Sequence, residues 1–184
     1  KGIKAYVRVG ENNSRIIKRV LDSGADGIIV PMVKNKEEAL DAISSVNYPP
    51  IGTRGVGLAR AQDYGLSFEK YKNNKAKNIE LIIQIEHIEA VNNLEEILSV
   101  KGIDGLIVGP YDLSASMNLT AQFDHPEFTK AIRDIKSKSE SANIPCGVHV
   151  VPPFIDDLQE KVDEDSQSIV LSMFQSGTFC LKVK

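Results

Sequence analysis

Six short, almost wholly apolar runs recur along the chain: Ala5–Val9, Gly27–Val33, Leu81–Ile85, Ile103–Val108, Gly147–Val151 and Ile169–Leu171. Continuous apolar runs, as opposed to alternating ones, suit parallel strands covered on both faces. Helical periodicity fills the intervals. Ile16, Ile17, Val20 and Leu21 fall on one stripe, as do Ala90, Val91, Leu94, Ile97 and Leu98, and Phe128, Ala131, Ile132 and Ile135. Asn35 with Glu38 forms a helix-start pair, and Tyr48-Pro49-Pro50 stops the helix that follows. Strand–helix alternation gives an α/β fold with a parallel sheet, either doubly wound or closed into a barrel.

Two features favour the barrel. No strand is followed by Gly-x-Gly-x-x-Gly or a Walker loop, and polar residues (Arg8, Glu86, Asp112, His149) recur at strand carboxyl ends, where barrel enzymes keep their chemistry. A complete barrel needs eight strands and about 250 residues. With six strands in 184 residues, this reads as one domain, 1–184, that is a TIM (β/α)8 barrel lacking its first two strands. The chain opens almost directly into a strand without an initiating Met. An open six-strand sheet would leave two edges unpaired, so residues upstream or unusual oligomerisation are expected.

The 22 Lys+Arg against 25 Asp+Glu give a net charge of −3 with mixed signs, which argues against a nucleic-acid surface or a polybasic membrane anchor. No apolar run approaches the roughly 20 residues of a membrane span. Lys1-Gly2-Ile3-Lys4 has no signal-peptide character. Cys146 and Cys180 lack metal-ligand spacing and read as reduced thiols of a cytoplasmic protein.

The chemistry centres on Glu86, which ends the apolar stretch Ile83-Gln84-Ile85, and on Asp112 in Gly109-Pro110-Tyr111-Asp112 after the next strand. Parallel neighbours lie about 4.8 Å apart, so carboxylates at adjoining strand ends could grip one divalent cation. Few protein ligands, all oxygen, suit Mg²⁺ or Mn²⁺. The competing reading is that each carboxylate caps the helix after it. Arg8, a permanent cation at another strand end, suits a carboxylate or a developing oxyanion, or else pairs with one of those acids. The glycine-rich basic loop Ile51–Arg60 could hold an anionic substrate tail or make an exposed tight turn. His87 and His125 read as helix-start residues, and His149 as a satisfied core histidine. Lys34 offers a Schiff-base alternative that would leave the paired acids without a role.

Taken together, several segments resemble the HpcH/HpaI family of metal-dependent (class II) pyruvate aldolases. They are Val7-Arg8-Val9, Ile17–Gly24, Val30-Pro31-Met32-Val33, Tyr48–Gly57, Gln84-Ile85-Glu86, Gly102–Gly105, Gly109–Ser114 and His125-Pro126, in unbroken order from about residue 3 to residue 155. The resemblance implies reversible retro-aldol cleavage of a 4-hydroxy-2-oxo acid to pyruvate and an aldehyde, in a barrel usually assembled as a homo-oligomer, a hexamer. It implies that Glu86 and Asp112 hold the metal (Mg²⁺, Mn²⁺ or Co²⁺) and that Gln84 lines the site. Arg8 would contact the keto oxygen, and backbone around Gly109, Tyr111 and Asp112 would receive the pyruvate carboxylate.

Asp22 matches an aspartate that orients a catalytic histidine on the strand before Arg8, a strand outside this sequence, so Asp22 is expected to lack its partner. At the other end Asp165–Phe174 replaces a glycine-containing turn and a strand usually ending in aspartate, and Gln175–Lys184 matches nothing in the family pattern. The rival readings are a truncated or degenerate relative that binds metal or pyruvate without efficient turnover, a malyl- or citramalyl-thioester lyase, and a non-catalytic assembly protein.

Overall fold

The computed structural model describes residues 4–150, 170–173 and 179–182. Strands occupy all six expected places: β1 (Tyr6–Arg8), β2 (Gly27–Val30), β3 (Glu80–Ile85), β4 (Gly105–Val108), β5 (Cys146–Val150) and β6 (Val170–Met173). Each pairs in parallel with the next. The expected count needs one correction. A seventh strand, β7 (Phe179–Lys182), lies antiparallel on β6, in the tail that matched nothing. β6 is therefore not an open edge, and Cα atoms of β7 come within 8 Å of β1 as the sheet curls. The replaced turn at residues 165–168 lies outside the described residues.

Helices fill the intervals on one side of the sheet. Helix α1 (Ser14–Ser23) starts where the Asn13 side chain accepts the N–H groups of Arg15 and Ile16. It stops at Gly24, whose φ of 109° suits glycine. Asn35 accepts the Glu38 N–H at 2.9 Å to start α2 (Lys36–Val46). The single stripe expected over residues 90–98 is split at Asn93 into α4 (Ile88–Asn92) and α5 (Leu94–Leu98), after α3 (Phe68–Asn73). The Asn93 amide donates to the Lys34 carbonyl at 3.0 Å, which ties the break to the β2–α2 loop. Helices α6 (Pro110–Ser116) and α7 (Pro126–Ser141) complete the set.

Strand register sorts the apolar residues into two layers. Ile28, Val30, Leu81, Ile83, Ile85, Leu106 and Val108 pack outward against helix residues such as Ile17, Leu21, Leu94 and Ile135. Each fully buried side chain of this size contributes about 1.5–3 kcal/mol. The opposite face carries a separate cluster of Tyr6, Ile29, Ile82 and Ile107. Because side chains alternate along a strand, Arg8, Gln84 and His149 share this inner face. They stand above the cluster toward the carboxyl ends of the strands, with Glu86 just past the end of β3. The small apolar cluster is thus the floor of a polar site.

Candidate active site

A chain of polar contacts crosses the inner face from β1 to β3. Arg8 Nε donates to Gln84 Oε1 at 3.1 Å, and Gln84 Nε2 donates to Glu86 Oε2 at 2.6 Å. Arg8 Nη2 stands 3.8 Å from Glu86 Oε1. That second oxygen also accepts the backbone N–H of Met32 at 2.9 Å. Met32 has a φ of 55°, in the left-handed region, which aims its N–H inward just after Pro31 ends β2. Neither that conformation nor the contact was legible in the sequence.

Glu86 is 1% exposed, and Gln84 is buried beside it. Burial pushes the Glu86 carboxyl above its ordinary range; Arg8 and the Met32 N–H pull it down, and a nearby Asp112 carboxylate in hydrogen-bonding reach pushes it up. The Asp112 carboxylate thus acts electrostatically on Glu86. Asp112 itself is not at a strand end, however. Gly109 is the N-cap of α6 and Pro110 its first residue, so Asp112 is the third residue of the helix, four beyond β4. Proline is preset for the first helical position.

The approach of β4 to Glu86 depends on Gly109. A β-carbon there would lie 2.8 Å from Glu86 Oε2 and 2.9 Å from Gln84 Nε2. No side chain caps α6, and the N–H groups of Tyr111 and Asp112 in its first turn have no intrahelical acceptor. Tyr111 is 45% exposed, its ring edge-on to Phe123 with centroids 5.1 Å apart.

The donor set fits a hard divalent cation. Each Glu86 oxygen accepts one short hydrogen bond and keeps a lone pair, and the exposed Asp112 carboxylate adds a second anionic oxygen donor. No group of three His, Cys, Asp or Glu side chains gathers among the described residues. A pair of carboxylates matches a Mg²⁺-like ion, which takes one or two from protein and completes its shell with water and substrate oxygens.

Asp22 lies in a different cluster. Its carboxylate is buried and accepts from Arg54 Nη2 at 2.7 Å, Lys18 Nζ at 2.5 Å and Gln62 Nε2 at 3.2 Å. These three side chains are its partners among the described residues, in a cluster separate from the histidine role that the resemblance implies. Arg54 is sandwiched by aromatics, its guanidinium carbon 4.6 Å from the Tyr48 ring centre and 5.6 Å from that of Tyr71. With its side chain fully buried, Arg54 is not available to an anionic substrate tail, one of the roles considered for its loop.

His87 and His125 are helix N-caps, each Nδ1 accepting the N–H two residues on, at 3.2 and 3.3 Å. His149 departs from expectation, since its buried Nε2 has no partner among the described residues. Lys34 is half-buried, with its N–H bonded to Glu38 Oε2 at 2.7 Å. No helix among the described residues is long and apolar enough to cross a membrane.

Comparison with known proteins gives concordant matches. The family model described as HpcH/HpaI aldolase/citrate lyase matches residues 1–177. A 5-keto-4-deoxy-D-glucarate aldolase of Citrobacter koseri is 39% identical over 143 residues, 77% of this chain and 55% of that protein. A hydroxypyruvate/pyruvate aldolase of Sagittula stellata is 40% identical over 147 residues, 79% of this chain and 58% of that protein. The chain thus spans somewhat more than half the length of these relatives. Among solved structures, an HpcH/HpaI aldolase/citrate lyase family protein from Burkholderia cenocepacia superposes with a TM-score of 0.79 at 27% identity, covering 86% of this chain and 62% of that one.

Proposed function

Because the chain belongs to the HpcH/HpaI aldolase/citrate lyase family, we propose that it is a metal-dependent carbon–carbon lyase that releases pyruvate from a 4-hydroxy-2-oxo acid. The observation that carries this reading is the buried Glu86 carboxylate at the end of β3, held by Gln84 and the Met32 N–H beside Arg8, with the Asp112 carboxylate acting on it from α6. Glu86 and Asp112 would hold a divalent cation such as Mg²⁺, Mn²⁺ or Co²⁺. When bound, that ion supplies Lewis acidity toward the keto oxygen. Arg8, with its side chain 37% exposed, is open to a ligand while Gln84 fixes its Nε. Its guanidinium would meet the charge that grows on the keto oxygen as the C3–C4 bond breaks.

Gln84 orients both Arg8 and Glu86 through opposite ends of one amide. The free N–H groups of Tyr111 and Asp112 would receive the substrate carboxylate. Asp22 would act at a distance, as a positioning residue, from its own cluster. A homo-oligomer, hexameric in the form the resemblance implies, is supported by exposed apolar residues: Ile51, Tyr64 and Leu66 are 73%, 74% and 88% exposed.

The test is pyruvate release from a 4-hydroxy-2-oxo acid. Glu86→Ala and EDTA should each abolish it, whereas Lys34→Ala should leave it largely intact. Trapping of a Lys34 adduct by borohydride with pyruvate, with activity surviving EDTA, would instead support a Schiff base.

A further inference from the structure

One inner-face residue has no part in the reading above. Register pairs Ile107 with Gly147 and Val108 with Val148, so His149 stands level with Gly109, one strand spacing of about 4.8 Å away. Gly109 puts no side chain between the imidazole and the Gln84–Glu86 pair that packs against it. His149 Nε2 is buried without a hydrogen-bond partner among the described residues. Most buried side-chain polar atoms are paired, so an unpaired one calls for a reason. Arg8 and Asp112, both part of the proposed site, act on the ring electrostatically.

We infer that His149 recognises the C4 hydroxyl of a 4-hydroxy-2-oxo acid through a hydrogen bond at Nε2, and so separates such acids from 2-oxo acids that lack the hydroxyl. This rests on the keto-acid reading above. With the keto oxygen at Arg8 on β1, the C4 hydroxyl of the same acid is the substrate group within reach of β5, the strand that carries His149. Burial, with Arg8 adding to it and Asp112 opposing, holds the imidazole pKa below its usual value. A neutral imidazole offers one donor and one acceptor, which matches a hydroxyl better than a second carboxylate.

The test compares ligand affinities of the Mn²⁺-loaded full chain, read from water-proton relaxation within seconds of mixing, before cleavage accumulates. The ligands are pyruvate, 2-oxopentanoate and 4-hydroxy-2-oxopentanoate. The wild-type chain should bind the hydroxylated acid roughly five- to tenfold more tightly than 2-oxopentanoate, the share of one net hydrogen bond. In His149→Leu that preference should fall to about onefold while pyruvate affinity is unchanged, which also reports an intact fold. His149→Gln should recover part of the preference.

A preference that survives in His149→Leu overturns the inference. So does a His149→Leu chain that loses pyruvate as well, since the histidine would then support the whole site and not the hydroxyl. A wild-type chain that binds Mn²⁺ but no keto acid overturns the underlying reading, and this inference with it.

Discussion

The backbone N–H of Met32 donates to Glu86 Oε1 at 2.9 Å, and Met32 reaches that position only by holding a φ of 55°. The left-handed region costs a non-glycine residue about 1–2 kcal/mol, and the contact is one of the few protein hydrogen bonds offered to a buried carboxylate. Met32→Gly removes the strain at a cost in chain entropy and should stabilise the fold by about 0.5–1 kcal/mol with metal affinity retained. Met32→Pro removes the N–H and forbids the φ, and should cost more than about 2 kcal/mol. Urea denaturation midpoints measure both.

Gly109 sets how closely β4 approaches the acid. A methyl group there would stand 2.8 Å from Glu86 Oε2 and 2.9 Å from Gln84 Nε2. Gly109→Ala should displace the Gln84–Glu86 pair, weaken Mn²⁺ binding at least about tenfold and cost about 1–3 kcal/mol in stability. Mn²⁺ titration with thermal melts of the same sample separates the two effects. Unchanged Mn²⁺ affinity would mean that Glu86 is not a ligand.

The Asp22–Arg54 contact, 2.7 Å and buried on both sides, governs acid stability. Burial raises the Asp22 carboxyl pKa, but Lys18, Arg54 and Gln62 outweigh it and hold the group below its ordinary value of 3.8. A depressed folded pKa means that the stabilisation is full above the unfolded value and is lost as pH falls through the folded one. Asp22→Asn should cost about 3–5 kcal/mol at neutral pH, because it leaves Arg54 charged and uncompensated. The difference from wild type should shrink below about pH 3.8. Chemical denaturation across pH 2–7 follows it, and a gap that stays constant would show that the carboxylate carries no such weight.

The strands were legible because burial on both faces leaves few polar positions in them, Arg8, Gln84 and His149 among those few. Leu81–Ile85 and Gly105–Val108 read as apolar runs, and both are wholly buried strands. Glu86 and Gln84 could be placed from that pattern alone, since alternation along β3 decides which of its residues look inward. The apolar run ended where β4 ends, at Val108, but it did not show that Asp112 sits four residues on, inside the helix that Pro110 starts.

What stayed hidden depends on tertiary approach. The burial of Arg54 needs Tyr48 and Tyr71, 23 positions apart, to close on its guanidinium. The Met32 contact needs a backbone conformation that no residue identity there announces. The four-residue β7 is too short to stand out in the sequence, and its antiparallel pairing with β6 is a tertiary contact.

The most direct test of the account is Mn²⁺ binding to the full chain, followed by electron paramagnetic resonance, for wild type, Glu86→Gln and Asp112→Asn, each with and without pyruvate. Wild type should take up one ion per chain and change its spectrum when pyruvate is added, and each substitution should weaken uptake by at least about tenfold. Equal uptake in all three proteins, or a wild-type spectrum indifferent to pyruvate, would contradict it.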